Sequence, residues 1–600
     1  MTGQDHVRPD GREQSPAVTR MRDAAMALRL HLDALPITYD VDGPPDDFLA
    51  GLAFMSARQR YACATSLIGS GFGGTVMGSL ARSLLMDGLR WRWISEDPDS
   101  RRRSLSRDLV SERNRLVVSL KTTESECANL LRWLMPVPAV AGLADLSRSV
   151  LEAPGLPSEK ELLDDLLSRP TRAASHTVDD ATGGDDATGG RDRLASRLLD
   201  IPGLRGVARI LAFAGHGNYL GLQSSLTVDG AVGMDLRSDH EALFLHAAAV
   251  GVTATLLGSA TGPAANVWPD EVDQRGFVDH ASHLTEDLAE AAVAVHGIHA
   301  PRPQVADSRG RRGNSGRGRS EPGPEPAAFI SAEALLPEQV GDRLLAQVVA
   351  AAEDYYVLAR SMPVDPWAKC SPTLHEVLAY GGAHSNLETV MVTYDQPGAE
   401  VMSAFAARML LEESARLTWR FADPDEDTFK SRARQFFDEF RARRRETLGA
   451  LTGGGVPRAV AEGLLSLPDN VVVKAQHDDI APGRTPIPSI SKLLLQMGAT
   501  SPEPGWLAVA YSMLSQVVHS TTLGSLHTLR CSAGHWSANR LSAEMLGLAL
   551  DVACLGSSRL IGHSTLVLSD ASPEAWTHYR ALRHAATRVH AAARLVHGLD

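Results

Sequence analysis

The sequence predicts an all-α protein: two homologous helical-bundle domains, produced by internal duplication and joined by a flexible Arg/Gly/Pro linker. Three observations carry this expectation. Aromatic residues make up only 5% of the chain while 44% is apolar, a balance that favours helices over β-sandwiches, which draw on Val, Ile, Thr, Tyr and Phe. Apolar residues recur at helical spacing, as in Val18, Met21, Ala25, Leu28 and Leu32. Short anchors also recur in order along the two halves.

The clearest anchor is Arg408-Met-Leu-Leu-Glu412, running on through Trp419 to Asp423-Pro424-Asp425; Arg82, Trp93 and Asp97-Pro98-Asp99 repeat it. The differences 408 − 82, 419 − 93 and 423 − 97 are all 326. Leu156-Pro-Ser-x-x-x-Leu162-Leu163 matches Ile487-Pro-Ser-x-x-x-Leu493-Leu494 at offset 331, which is 487 − 156. His216-x-x-x-Leu220-Gly221 matches His519-x-x-x-Leu523-Gly524 at 303, which is 519 − 216. His283 with His296-Gly297 matches His584 with His597-Gly598 at 301, which is 584 − 283. The fall from 331 to 303 brackets an acidic, low-complexity loop at 174–193, present in the first half alone.

Taken in order, 1–15 reads as a disordered tail, followed by domain 1 over 16–299. Its helices are expected from Pro16 to about Leu35, from Asp47 to Leu67 after the Gly43-Pro44-Pro45 breaker, and from Thr75 to Ser95. Asp97-Pro98 ends the third, because proline disfavours helix at the residue before it. A basic helix over Arg101 to Thr122 and an apolar one near Cys127 to Leu143 come next. Ser158 is placed to cap a short helix carrying Leu162 and Leu163. Leu204 to Leu226, Glu241 to Leu257 and Thr285 to His296 complete the half. Residues 300–327 form a basic, flexible linker, and domain 2 over 328–600 repeats the plan. Its helices fall near 331–360, 386–395, 400–421, 427–448, 456–465, 489–497, 505–528, 540–560 and 573–597.

Several classes of function are disfavoured. A net charge of −13 argues against nucleic-acid binding by the whole surface. The linker's arginines at 308–319 could still touch RNA, although no aromatics are interleaved for stacking. Five widely spaced cysteines without a C-x-x-C point to neither a disulfide framework nor a cysteine zinc site, and a reducing cytoplasm is the expected setting. The polar N-terminus is not a signal peptide. The longest apolar run, Leu243 to Leu257, is too short for a membrane span and reads as a buried helix. No H-E-x-x-H, phosphate loop or G-x-S-x-G occurs, so no metal or cofactor is expected.

The polar positions that remain define the candidate site. Val401, Phe405, Arg408, Glu412, Ala415 and Trp419 share one helical stripe. A guanidinium within an apolar stripe needs a partner, and Glu412 stands one turn along. In the first half Met86 occupies that place, with Asp87 the nearest substitute for Arg82. Arg408, Arg82 and His216 are the expected ligand-binding residues, and His519 with Glu412 the catalytic pair if chemistry is done. These patterns suit a binding or regulatory protein with an anion-accepting pocket in the second repeat, holding a small anionic ligand or a protein partner. Two alternatives stand beside it: a metal-independent hydrolase or nuclease with His519 as acid/base and Arg408 as charge stabiliser, and a structural adaptor. The repeats are expected to pack together, and a homo-oligomer is left open.

The Arg-x-x-x-Glu helix (Arg408, Glu412) and the later Ser-x-x-x-His (Ser515, His519) resemble a bacterial family of all-helical domains known as a domain of unknown function. The resemblance covers about 395–560, with a degenerate copy in the first half where Met86 departs from the pattern. It implies a helical fold and no established activity.

Overall fold

A computed structural model describes residues 15–35, 44–70, 72–122, 150, 152–168, 201–215, 236–259, 273–296, 338–361, 374–422, 425–466, 487–498, 505–519, 521–532, 535–538, 540–569 and 571–598. Residues 1–14 of the tail expected at 1–15, the helix near 127–143, the acidic loop at 174–193, the linker at 300–327 and His216 lie outside these residues. The fold is essentially all-helical. The first half holds α1 (Pro16–Asp33), α2 (Pro45–Ser66), α3 (Gly74–Ser95), α4 (Pro98–Arg101), α5 (Arg103–Thr122), α6 (Glu159–Ser168), α7 (Leu204–Gly215), α8 (Ser238–Ser259) and α9 (Gln274–Val295). The second holds α10 (Glu338–Arg360), α11 (Leu374–Thr393), α12 (Val401–Phe421), α13 (Glu426–Gly453), α14 (Arg458–Leu464), α15 (Ile490–Gly498), α16 (Trp506–Val518), α17 (Thr522–Leu526), α18 (Ala543–Leu568) and α19 (Pro573–Val596).

Local chemistry sets many of the ends. Pro16, Pro45 and Pro573 open α1, α2 and α19, where the missing N–H has no intrahelical partner to lose. Asp273, Asp425, Ser542 and Ser572 cap α9, α13, α18 and α19 by accepting a backbone N–H three residues on. Ser158 does so as expected: its hydroxyl accepts from Glu161 N while the Glu161 carboxylate accepts from Ser158 N at 2.7 Å, a reciprocal capping box.

Three elements depart from expectation. The helix expected over 386–395 begins at Leu374 and runs through Gly381-Gly382; packing against α12 and α18 overrides the glycines' poor propensity. The helix expected over 505–528 is two, because Thr521 caps α17 through Gly524 N and its own N–H bonds back to Gln516 O. A Cβ on Gly524 would collide with the carbonyl of Gln516, so the fold-back needs glycine there. After α17 the chain forms an antiparallel hairpin, β1 (Leu529–Ser532) with β2 (His535–Ala538), pairing Leu529 with Ala538 and Ser532 with His535.

Two central pairs carry the core. In one, α3 packs along α8; in the other, α12 packs along α18. These helices are buried almost all round, not on one stripe. Closeness depends on glycine: a side chain at Gly251 would meet the Leu84 backbone, and one at Gly556 the Leu410 backbone. Around α3 and α8 stand α1, α2, α6, α7 and α9; around α12 and α18 stand α10, α11, α15, α16 and α19. The helices of one half also reach into the other. α5 packs on α16 and α17, α13 packs on α7, and α3 touches α12. Among the described residues two helices, Ser238–Ser259 and Ala543–Val567, are long and apolar enough to cross a membrane, but 94% and 89% of their apolar windows lie buried within the bundle.

Candidate functional site

The two arginines singled out by the recurring sequence anchors both lie on central helices, in different surroundings. Arg408 on α12 is 1% exposed. Its Nε donates to Ser515 Oγ at 2.9 Å and its Nη2 to the Tyr511 hydroxyl at 2.8 Å, both on α16. The Glu412 carboxylate lies 3.4 Å from Nη2 and accepts from the Tyr511 hydroxyl at 3.1 Å. The guanidinium carbon also sits 4.9 Å from the centre of the Tyr511 ring. Burial pushes the Tyr511 hydroxyl up to about 12; Glu412 adds to this and Arg408 opposes it. Tyr511 therefore stays protonated and relays a hydrogen bond from guanidinium to carboxylate. Arg416 adds a second guanidinium 3.5 Å from Glu412.

Arg82 on α3 reaches the seam between the halves. Its Nη2 donates to Glu159 Oε2 at 2.6 Å, so the carboxylate missing at Met86 is supplied from the first turn of α6. Asp87, the substitute expected from sequence, faces elsewhere: it holds Arg60 at 2.9 Å and Arg90 at 3.4 Å. Arg82 Nη1 makes a long contact of 3.5 Å with His519 Nδ1, and Arg90 Nη1 donates to the His519 carbonyl at 3.1 Å. A guanidinium only donates, so this contact requires Nδ1 to be the acceptor and the proton to sit on Nε2. Among the described residues the buried Arg82 Nε has no hydrogen-bond partner.

These groups enclose a cavity of about 30 Å³, lined by Arg82, Arg90, Glu159, His519 and the apolar Met86 and Val518, with room for about two waters. The second half thus lends its histidine to the first half's arginine. His519 and Arg408, expected to serve one pocket, approach α16 differently: Arg408 bonds Ser515, and the His519 imidazole faces Arg82. Glu412 is 2% exposed and engaged by two arginines and Tyr511.

Arg90 and Glu159 were not singled out from sequence. A signal for each existed: Arg90 and Arg416 share the offset 326, which is 416 − 90, and the Ser158-x-x-Glu161 box places Glu159 at the first position of a helix. Among the described residues no group of three or more His, Cys, Asp or Glu is arranged to hold a metal ion. Comparison with family models, with curated proteins and with solved structures finds no match.

Proposed function

We propose that this is a helical binding or regulatory protein, built by internal duplication, that takes a small carboxylate-type anion at the seam between its halves. The observation that carries the reading is the Arg82 guanidinium, aimed into a small cavity with its buried Nε unpartnered and with Arg90 beside it. Glu159, whose side chain is 33% exposed, occupies the place of the ligand, and a free carboxylate of the same chemistry would displace it. The first half is therefore preferred over the second, where Arg408 already has Glu412, Tyr511 and Ser515.

The duplication is supported by corresponding contacts. α1 packs on α9 as α10 packs on α19; α3 packs on α6, α7 and α8 as α12 packs on α15, α16 and α18. The crossing contacts are reciprocal as well, since α5 meets α16 while α13 meets α7, an arrangement suited to a pseudo-two-fold ancestor. The glycine approaches correspond as well: Leu84 and Leu410 are 326 apart, the offset of the arginine anchor, and Gly251 and Gly556 are 305 apart, within a few residues of the histidine anchors' 303 and 301. Cys63 and Cys554, buried as free thiols, suit a cytoplasmic setting.

Titration with ¹³C-formate, followed by its NMR line width, tests the site. Arg82→Gln is expected to abolish formate binding, and Glu159→Gln to strengthen it several-fold by removing the resident carboxylate. Formate binding unchanged in Arg82→Gln would sink the proposal.

A further inference from the structure

Another arginine in the second half, Arg559, has a buried nitrogen without a hydrogen-bond partner among the described residues. Arg559 lies on α18, one turn before His563; Tyr579 lies on α19, one turn before Arg583. The two helices touch here, since a side chain at Gly562 would run into the Tyr579 ring. The His563 ring centre is 5.5 Å from that of Tyr579 and 4.9 Å from that of Phe421, against which it stacks at 11°. The Arg583 guanidinium carbon lies 5.8 Å from the Tyr579 ring centre. His563 and Arg583 therefore both meet one tyrosine, with Arg559 one turn before His563 on the same helix.

Among the described residues no carboxylate lies within ion-pair reach of Arg559, and its buried Nη1 has no hydrogen-bond partner. Burial depresses the Arg559 guanidinium, with Arg583 adding to the effect and Tyr579 opposing it. Burial likewise brings His563 down to about 4, with Arg559 and Arg583 contributing. A part-buried guanidinium beside a second cation is costly until an anion arrives. Fork-shaped donors suit a phosphoryl group, and two arginines match the charge of a dianion. Trp576, 42% exposed, stands edge-on to Tyr579 at 5.8 Å and offers an exposed aromatic face beside it.

We propose that the α18–α19 contact carries a second binding site, holding the phosphoryl group of free phosphate or of an aryl phosphate ester between Arg559 and Arg583. It is independent of the seam site and uses none of its residues.

The test follows the ³¹P line width of inorganic phosphate, and separately of phenyl phosphate, with the full-length protein at constant ionic strength. Wild type and Arg82→Gln should bind alike, and Arg559→Met should bind at least about tenfold more weakly, a loss of about 1.4 kcal/mol. Arg583→Gln changes an exposed position and keeps the test decisive if Arg559→Met does not fold; it should bind at least about threefold more weakly. Phosphate binding unchanged in either folded variant, or absent from wild type, overturns the proposal. Tighter binding of phenyl phosphate that Trp576→Ala removes assigns an aryl ester; equal binding of the two ligands assigns the free anion.

Discussion

Arg408 and Arg82 occupy matching positions on central helices, yet one is saturated and the other is not. The difference lies in the residues one turn on and on the facing helix: Glu412, Tyr511 and Ser515 serve Arg408, whereas Met86 leaves Arg82 to Glu159 and His519. Arg408→Met should destabilise the protein by about 3–5 kcal/mol, because it leaves the Glu412 carboxylate buried without its principal charge partner; the urea midpoint reads this directly. His527 supplies a pH prediction at the same scale. It is 4% exposed, and burial lowers its pKa to about 4, against about 6.5 when unfolded. Its contribution to stability is present above pH 6.5. Between 6.5 and 4 the unfolded chain takes up the proton that the folded one refuses, costing about 1.4 kcal/mol per pH unit. His527→Leu should flatten that part of the stability profile, and an unchanged slope in urea titrations from pH 7 to 4.5 counts against it. At this scale the two arginines were legible, since a charge in an apolar stripe stands out. Their partners were not, because Glu159 and His519 are 77 and 437 residues from Arg82.

Element positions follow capping and breaker chemistry wherever local terms dominate. Ser158→Ala should cost about 1 kcal/mol of helix stability and loosen the turn that carries Glu159; circular dichroism and the formate titration would register the two effects separately. The helix expected over 505–528 shows the converse. Its apolar periodicity continues through the break, and Thr521 with Gly524 divides it. Gly524→Ala should force α16 and α17 apart, lowering the melting temperature by several degrees, about 2–4 °C per kcal/mol lost in a chain of this size or somewhat less. A variant melting with wild type would show that the fold-back tolerates a side chain. The helix expected over 386–395 starts at Leu374 instead, carrying Gly381-Gly382 inside α11, where burial against α18 decides.

At the scale of the whole molecule, reciprocal packing makes the two halves interdependent. α5 lies on the second half's α16 and α17, and α13 lies on the first half's α7. Polar bonds join the halves across the seam: Thr75 Oγ1 donates to Asn386 Oδ1 at 2.9 Å, Arg237 donates to the carbonyls of Gly463 and Ser466, both at 2.9 Å, and Gly203 N donates to Gly454 O at 2.8 Å. Cleavage in the Arg-rich stretch at 308–319 should therefore leave the two fragments co-eluting on size exclusion, while either half expressed alone should aggregate. Fragments that separate after cleavage, each with native helicity, would show two autonomous domains.

The sequence by itself determined the all-helical class, the places of most helices and the arginines worth testing, because periodicity, capping and proline act over a few residues. Corresponding anchors also let an internal duplication be proposed without any contact in view. Only the tertiary structure decided which carboxylate and which histidine meet Arg82, that Arg408 is sealed, and that Arg559 meets no counter-ion among the described residues. Those outcomes depend on helices packing across long sequence separations, where burial sets the cost of each unpaired charge and no local pattern records its partner.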